Sequence, residues 1–310
     1  MEGQGGTGKR QRLWADSIST MKRPLLRWML PLATAWLLGC ADLPAAPTSG
    51  PLPTHMSTAD VPIALQTLAG VRLLLLGEQH DADEHQALQA AAVAHLARSG
   101  QLAAVVLEMA ERGHNTRGLP PDATAPQVQT ALAWNDAGWP WARYGAVVMA
   151  AVRAGVPVWG GNQPRAEMRA AMATPELDHT LSPSALARQR ENIRVGHCDL
   201  LPASQLGPMA RIQIARDRAM AQTVTELAAQ ANAPQMVLLV AGTEHVRREL
   251  GVPAHLPAEW RAKTHVVVMH SGVAEATTLA GADSVWLTPA TPPKDHCAAL
   301  RQRWGQPGAR

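Results

Sequence analysis

The feature that most constrains this chain is a short apolar run that ends in chemically reactive side chains. The run from Val71 to Leu76 is too short to cross a membrane and is typical of a buried strand in a parallel sheet. The sequence Gly-Glu-Gln-His follows it at once. Because an open α/β sheet binds its ligand at the carboxyl ends of its strands, we expect Glu78 and His80 to lie at a site.

The same pattern of an apolar strand followed by polar side chains occurs twice more. The run Met236–Ala241 is followed by Gly-Thr-Glu-His, which places His245 at a strand end, and Leu102–Leu107 is followed directly by Glu108. The sequence therefore predicts that these two residues join Glu78 and His80 at one edge of the sheet. An alternative role for Glu108 is to orient a neighbouring histidine or to cap the next loop.

Apolar strands alternate with helical segments along the chain. The remaining predicted strands are Val156–Trp159, Val266–Met269 and Ser284–Leu287. The predicted helices are Asp83–Arg98, Pro126–Trp134, Pro140–Arg153, Leu186–Val195 and Gly207–Ala231. Asp81 precedes Glu84 by three residues, which predicts a capping box at the start of the first helix. We expect an α/β fold with a mainly parallel central sheet, flanked by helices, and a helical excursion between the third and fourth strands.

The first forty residues have the features of a processing region. A basic stretch begins at Met21, an apolar run follows, and Leu-Leu-Gly-Cys ends it at Cys40. This resembles a bacterial lipoprotein signal, which implies cleavage before Cys40, lipid on that residue, and a place in the cell envelope facing the periplasm or the surface. A transmembrane anchor is the alternative, but the run is short for one. We expect a leader over 1–39, with translation from Met1 or Met21, a flexible tether over 40–56 and a single domain over 57–310.

Removing the leader changes the charge of the chain. The leader carries six of the 28 basic and two of the 25 acidic residues, which leaves 22 against 23 and a net charge of about −1. No basic stripe interleaved with aromatic residues is present. The composition therefore gives no indication of a nucleic-acid partner.

Two cysteines remain once Cys40 is assigned to lipid. They are Cys198 and Cys297, and the compartment outside the cytoplasm is oxidising. A disulfide between them would tie the C-terminal tail to the middle of the fold. The alternative is a pair of free, buried thiols.

Tyr144 is the only tyrosine, and the chain has no phenylalanine. A tyrosine in the first turn of a helix is commonly half-buried, with its hydroxyl in water. A functional alternative is that its phenolate ligates ferric iron, since tyrosine is one of the axial ligands of haem. Arg143 is next to it, and Arg165 follows the third predicted strand, so either could meet an acidic group of a ligand.

Several motifs occur in an order that resembles a known family. They are LLLLGEQHDADEHQALQ, VVLEM, Trp141-x-x-Tyr144, GNQPR, GHC, IQIARDRAMA and VAGTEHVRRELGVP. Together they resemble the ChaN-type haem-binding lipoproteins, a branch of the Tiki/TraB and erythromycin-esterase-like superfamily. The resemblance implies an α/β domain that binds haem through a tyrosine, here Tyr144, with pairs of haems at a subunit contact. It also implies partners in haem or iron uptake: a second copy of the chain and an outer-membrane receptor.

The superfamily supplies a rival function. Some relatives are regarded as metal-dependent hydrolases, and others use His and Glu to activate water. If Glu78, His80, Glu108 and His245 converge, they could hold a divalent metal ion that lowers the pKa of bound water, or act as a general base without metal. An esterase or a protease is therefore the alternative to haem binding. A third possibility is that these polar groups only brace the loops of an inactive scaffold.

Overall fold

Six parallel strands form the centre of the fold in the computed structural model, which describes residues 55–274 and 280–304. The strands are β1 (Leu73–Glu78), β2 (Leu102–Glu111), β3 (Val158–Asn162), β4 (Met236–Gly242), β5 (Thr264–Ser271) and β6 (Ser284–Thr288). Their order across the sheet is β3-β2-β4-β1-β5-β6. The predicted parallel α/β sheet is therefore confirmed.

The strand order brings together polar segments that are far apart in sequence. Strand β4 lies between β2 and β1, so the carboxyl ends of these three strands are neighbours. Glu78 is paired with Gly242, and Leu107 is paired with Val240. The polar residues after these strands therefore share one edge of the sheet.

Some strand ends differ from those that the apolar runs predict. Strand β1 continues through Glu78, and β2 continues to Glu111, where it pairs with Asn162 after an irregularity. Strand β3 begins at Val158, later than predicted, because the preceding Pro157 has no N–H to donate to the ladder. The predicted ends of β1 and β2 were wrong because pairing with a neighbour continues beyond the apolar residues. Glu78 and Glu108 consequently belong to strands and not to the loops after them.

Helices cover both faces of the sheet. They are α1 (Val61–Ala64), α2 (Asp83–Arg98), α3 (Ala125–Ala131), α4 (Trp141–Arg153), α5 (Met168–Met172), α6 (Pro183–Gly196), α7 (Ala203–Gln230), α8 (Thr243–Val246) and α9 (Ala258–Arg261), with a C-terminal helix, His296–Trp304. Leu74 and Leu76 pack with α2 and α4, whereas Leu73 and Leu75 pack with α7. This alternation explains why the strands are apolar on both faces. Helices α5 to α7 form the predicted excursion between β3 and β4.

The start of α2 differs from the prediction. Its N-cap is Ala82, which makes no side-chain cap, and Asp81 instead pairs with Lys294 at 3.3 Å. The predicted capping box was wrong because a residue of the distant C-terminal segment competes for the Asp81 carboxylate. The loop that carries His80 is therefore in contact with the end of the chain.

A disulfide joins Cys198 to Cys297, as the cysteine count suggested, with a Cα–Cα distance of 5.6 Å. It links the turn between α6 and α7 to the C-terminal helix. The predicted leader, Cys40 and most of the tether lie outside the described residues. Met56, at the predicted end of the tether, is buried and donates its backbone N–H to the carbonyl of Leu287. In the described part of the chain, no helix combines the length and the apolar character needed to cross a membrane.

Candidate functional site

Glu78 is the centre of a buried hydrogen-bond network at the carboxyl edge of the sheet. Its side chain is 2% exposed and accepts four hydrogen bonds. Tyr144 donates its hydroxyl at 2.7 Å and His80 approaches through Nδ1 at 2.8 Å, both at Oε1. Gln86 and Gln89, one turn apart on α2, each donate to Oε2 at 2.7 Å. Because all its lone pairs are used, Glu78 orients its neighbours and is not itself available to a substrate.

His80 is the accessible member of this network. Its side chain is 38% exposed, and the edge of Trp139 packs against it at 4.9 Å between ring centroids. With Nδ1 directed at Glu78, Nε2 lies 3.8 Å from Oε2 of Glu108. Burial lowers the pKa of His80, but the hydrogen bond to Glu78 and the charge of Glu108 outweigh it and raise the pKa above its usual value. A proton on Nδ1 leaves a lone pair on Nε2, on the side of the ring that faces Glu108.

Glu108 connects the two predicted histidines. One carboxylate oxygen accepts the backbone N–H of Gly242 at 2.7 Å, and the other is 3.2 Å from Nε2 of His245. Burial would raise the pKa of Glu108, but the positive charge of His245 holds it well below its usual range. Glu108 is therefore an ionised acceptor between His80 and His245.

His245 lies between two buried carboxylates. Its Nδ1 is 2.6 Å from Oδ1 of Asp217, and its Nε2 faces Glu108. Burial alone would lower the pKa of His245, but the two carboxylates raise it to about 10. The imidazole is consequently a cation that neutralises part of the buried negative charge.

Asp217 is the site residue that the sequence did not identify. It lies on α7, is 1% exposed, and orients His245 from the opposite side of Glu108. A single Asp on a long amphipathic helix is indistinguishable in sequence from an Asp that faces solvent. Only the packing of α7 on the sheet reveals its position.

Tyr144 does not occupy the half-buried, water-facing environment expected from the sequence. Its side chain is 1% exposed, its hydroxyl donates to Glu78, and the rings of Trp134 and Trp139 lie beside it. The expectation of a hydroxyl in water was wrong, because the first turn of α4 faces the sheet and not the solvent. Burial and the negative charge of Glu78 raise the pKa of Tyr144 above its ordinary value, which disfavours the phenolate that iron would bind.

The two predicted arginines lie on different sides of the site. Arg143 donates Nη1 to the carbonyl of His80 at 2.7 Å, and its Nε is 3.1 Å from the carboxylate of Asp83. Arg165 is exposed, and its backbone N–H bonds Glu111 at 3.1 Å. Arg165 lines a cavity of about 360 Å³ next to Glu108, whereas Arg143 does not.

The four residues predicted as a hydrolytic group therefore lie together, but not as a metal centre. Within residues 55–274 and 280–304, no group of three His, Cys, Asp or Glu side chains is arranged to hold a metal ion. The distances give the reason. Nε2 of His245 and Nε2 of His80 both face Glu108. Nδ1 of His245 faces Asp217, and Nδ1 of His80 faces Glu78. The arrangement is a hydrogen-bonded network with one accessible imidazole, and within the described residues it presents no three-ligand group for the divalent metal considered from the sequence.

Comparisons with known proteins found one family model and several solved structures that match this chain. A family model described as haem-binding uptake, Tiki superfamily, ChaN matches residues 64–256. A solved structure described as cofacial haem binding to ChaN of Campylobacter jejuni has 23% identity and a TM-score of 0.52, over 71% of this chain and 88% of that chain. A mutant of the erythromycin esterase EreC in its open conformation has 15% identity and a TM-score of 0.41, over 71% and 75%. No curated protein matches this chain.

Proposed function

Since the chain belongs to the haem-binding ChaN family of the Tiki superfamily, we propose that it binds haem and serves in haem or iron uptake or handling. The observation that carries this proposal is the family match over residues 64–256, which includes every residue of the site from Glu78 to His245. The proposal concerns haem as a bound ligand. It does not require any reaction at the iron.

The residues assigned to haem from the sequence do not fit iron ligation in the arrangement described above. The Tyr144 hydroxyl is sealed from solvent and bonded to Glu78, so iron could reach it only after that bond breaks. Arg143 is already paired with Asp83, which leaves Arg165 as the better placed of the two cations for a propionate. Ligation by Tyr144 stays a prediction, and no step is assigned to it.

The test is a titration of the purified protein with ferric haem, followed by visible absorbance. We expect saturable binding, and its absence at micromolar concentrations would contradict the proposed function. Tyr144→Phe removes only the hydroxyl, so an unchanged spectrum and affinity in this variant would disprove tyrosine ligation while leaving haem binding intact. Arg165→Gln should weaken binding more than the matched Arg143→Gln does.

The proposed place of the protein is the bacterial cell envelope, attached to a membrane through lipid on Cys40. The support is the order of basic stretch, apolar run and Leu-Leu-Gly-Cys in the sequence. We expect metabolic labelling with a fatty acid to mark the wild type and not Cys40→Ser. If the wild type and Cys40→Ser are labelled equally, or are recovered equally in the soluble fraction, the proposed lipid anchor on Cys40 is contradicted.

Hydrolysis by general-base catalysis is a second candidate function. The observation that favours it is the environment of His80, which is 38% exposed, has Nδ1 facing Glu78 and has Nε2 3.8 Å from the Glu108 carboxylate. A carboxylate behind an imidazole fixes its tautomer and stabilises the imidazolium that forms when the ring takes a proton. The arrangement therefore suits activation of water next to Glu108.

In such a reaction, Nε2 of His80 takes a proton from water as the water oxygen attacks the carbonyl carbon of an ester or amide. The bond to the leaving group then breaks, and His80 returns the proton to that group. Glu78 holds the ring, while the cationic His245 keeps Glu108 ionised as an acceptor for the attacking water. Glu108 and His245 keep the protonation states that their neighbours favour, while His80 carries the proton from water to the leaving group.

This candidate predicts that His80→Ala lowers hydrolysis of simple aryl esters by about 10²–10⁴-fold. The control is His95→Ala, at the opposite end of α2 from the site. Equal rates in the two variants and the wild type would contradict a role for His80. Haem titration of the same variants keeps the two candidate functions separate.

A further inference from the structure

A cavity of about 360 Å³ opens beside the reactive network. It lies at the carboxyl edge of the sheet and includes Glu108 in its wall. The residues that define its chemistry are Glu108, Met109, Trp139, Asn162, Met168 and Arg216. Its volume is near the lower end of the range for small-molecule sites, and more than half of its lining residues are polar or charged.

Arg216 is the unusual member of this wall. It is half-buried on α7, and it makes no hydrogen bond or ion pair with any residue in the described part of the chain. Its Nε is fully buried without a partner. The positive charge of Arg216 acts on the neighbouring buried Asp217. Its Nε still lacks an acceptor, which costs free energy and which an acidic group of a ligand would supply.

Asn162 is the second group without a full set of partners. It is the last residue of β3 and is 7% exposed. Its Nδ2 donates to the backbone carbonyl of Glu108 at 2.8 Å, which fixes the orientation of the amide. Its Oδ1 is buried and accepts no hydrogen bond. The wall therefore contains one acceptor without a donor, Oδ1 of Asn162, and one donor without an acceptor, Nε of Arg216.

We propose that this cavity binds a small carboxylate that also carries an O–H or N–H group. Arg216 pairs with the carboxylate, and Asn162 accepts from the hydroxyl or amide. Trp139 and Met168 contact the apolar part of the ligand. Arg165, which the haem proposal assigns to a propionate, lines the same cavity, so haem and this carboxylate would compete for it. The ligand would be a substrate only if His80 acts as a general base. That role rests on the hydrolytic proposal, whereas binding of the ligand does not.

The charges around the cavity favour a carboxylate over a phosphate. Glu108 and Glu111 also line the wall, and Glu111 accepts the backbone N–H of Arg165 at 3.1 Å. Arg165, at the same wall, is a second cation. Two cations facing two carboxylates accommodate one additional negative charge better than the two charges of a phosphate monoester.

The test uses calorimetric titration with N-acetylglycine, which has both a carboxylate and an N–H. Acetate has the charge without the donor, and N-acetylglycinamide has the donor without the charge. We expect N-acetylglycine to bind at least about tenfold more tightly than either, which is the factor that one charge-assisted hydrogen bond supplies. Equal affinity for the three probes, or no binding of any, overturns the proposal.

Arg216→Gln should weaken N-acetylglycine binding by about tenfold or more. The matched control is Arg218→Gln, because Arg218 is on the same helix, is exposed, and lines a different cavity. Thermal melting of both variants establishes that they fold. An unchanged affinity in Arg216→Gln, or an equal loss in Arg218→Gln, overturns the assignment.

Discussion

At the scale of single residues, the buried charges of the site are balanced by His245. The pKa of its imidazole is raised to about 10 because Asp217 and Glu108 hold the cationic form. A histidine whose pKa is higher in the folded than in the unfolded protein stabilises the fold. For His245 this contribution is complete below about pH 6.5, the pKa in the unfolded chain, and is lost as the pH rises to about 10. The stability of the domain is thus tied to one proton that the sequence alone does not reveal.

We therefore expect the free energy of unfolding to fall between about pH 6.5 and 10 by up to about 1.4 kcal/mol per pH unit. Urea denaturation at several pH values in this range measures the slope. His245→Gln should lower stability near neutral pH by about 3–5 kcal/mol, since it leaves buried carboxylates without their partner, and should flatten the slope. If the free energy of unfolding of the wild type and of His245→Gln changes equally with pH, a group other than His245 titrates in this range.

A second prediction at this scale concerns the glycine beside His80. A Cβ built on Gly242 lies 2.7 Å from Nε2 of His80, and the histidine side chain is partly exposed and can move. Gly242→Ala should therefore displace the imidazole from Glu78 and lower the pKa of His80 towards its ordinary value. Titration of the ring by NMR measures this change, with Gly196→Ala as the control at a site with open space. An unchanged His80 pKa would contradict the contact.

At the scale of elements, the end of β1 depends on the close approach of α8. A Cβ on Gly77 would lie 2.4 Å from Cγ2 of Val246 and 3.1 Å from Cα of Thr243. Gly77→Ala should destabilise the domain by about 1–3 kcal/mol, because the backbone of α8 must shift. Gly207→Ala, in a helix with nothing nearby, should instead be neutral or stabilising by up to about 1 kcal/mol. Thermal melting compares the two, and equal effects would contradict the predicted overlap.

The same scale explains which parts of the site could be predicted from the sequence. Strands with apolar faces on both sides must lie in a covered parallel sheet, so Glu78, Glu108 and His245 could be assigned to one edge. The order of the strands in the sheet could not be derived, because an apolar run carries no information about which strands pair with it. Asp217 and Arg216 were missed for a related reason: they come from a helix whose rotation against the sheet is fixed only by packing.

At the scale of the whole molecule, a disulfide links two parts of the chain that are far apart in sequence. Cys198 and Cys297 are 99 residues apart in sequence, and their disulfide joins the helical excursion to the C-terminal helix. The same tail reaches the loop of His80 through the ion pair of Lys294 with Asp81. This exposed ion pair contributes little, so the disulfide is the main restraint on the tail.

We expect Cys297→Ser to lower the free energy of unfolding by about 2–5 kcal/mol, the usual loss for a bond that closes a long loop. Added reductant should lower the melting temperature of the wild type to that of the variant and should leave the variant unchanged. Because the tail contacts the loop beside His80, hydrogen exchange in residues 79–82 should be faster in the variant than in the wild type, while the buried strands should exchange equally in both. If reductant leaves the melting temperature of the wild type unchanged, the disulfide contributes no stability. Packing alone then holds the C-terminal tail in place.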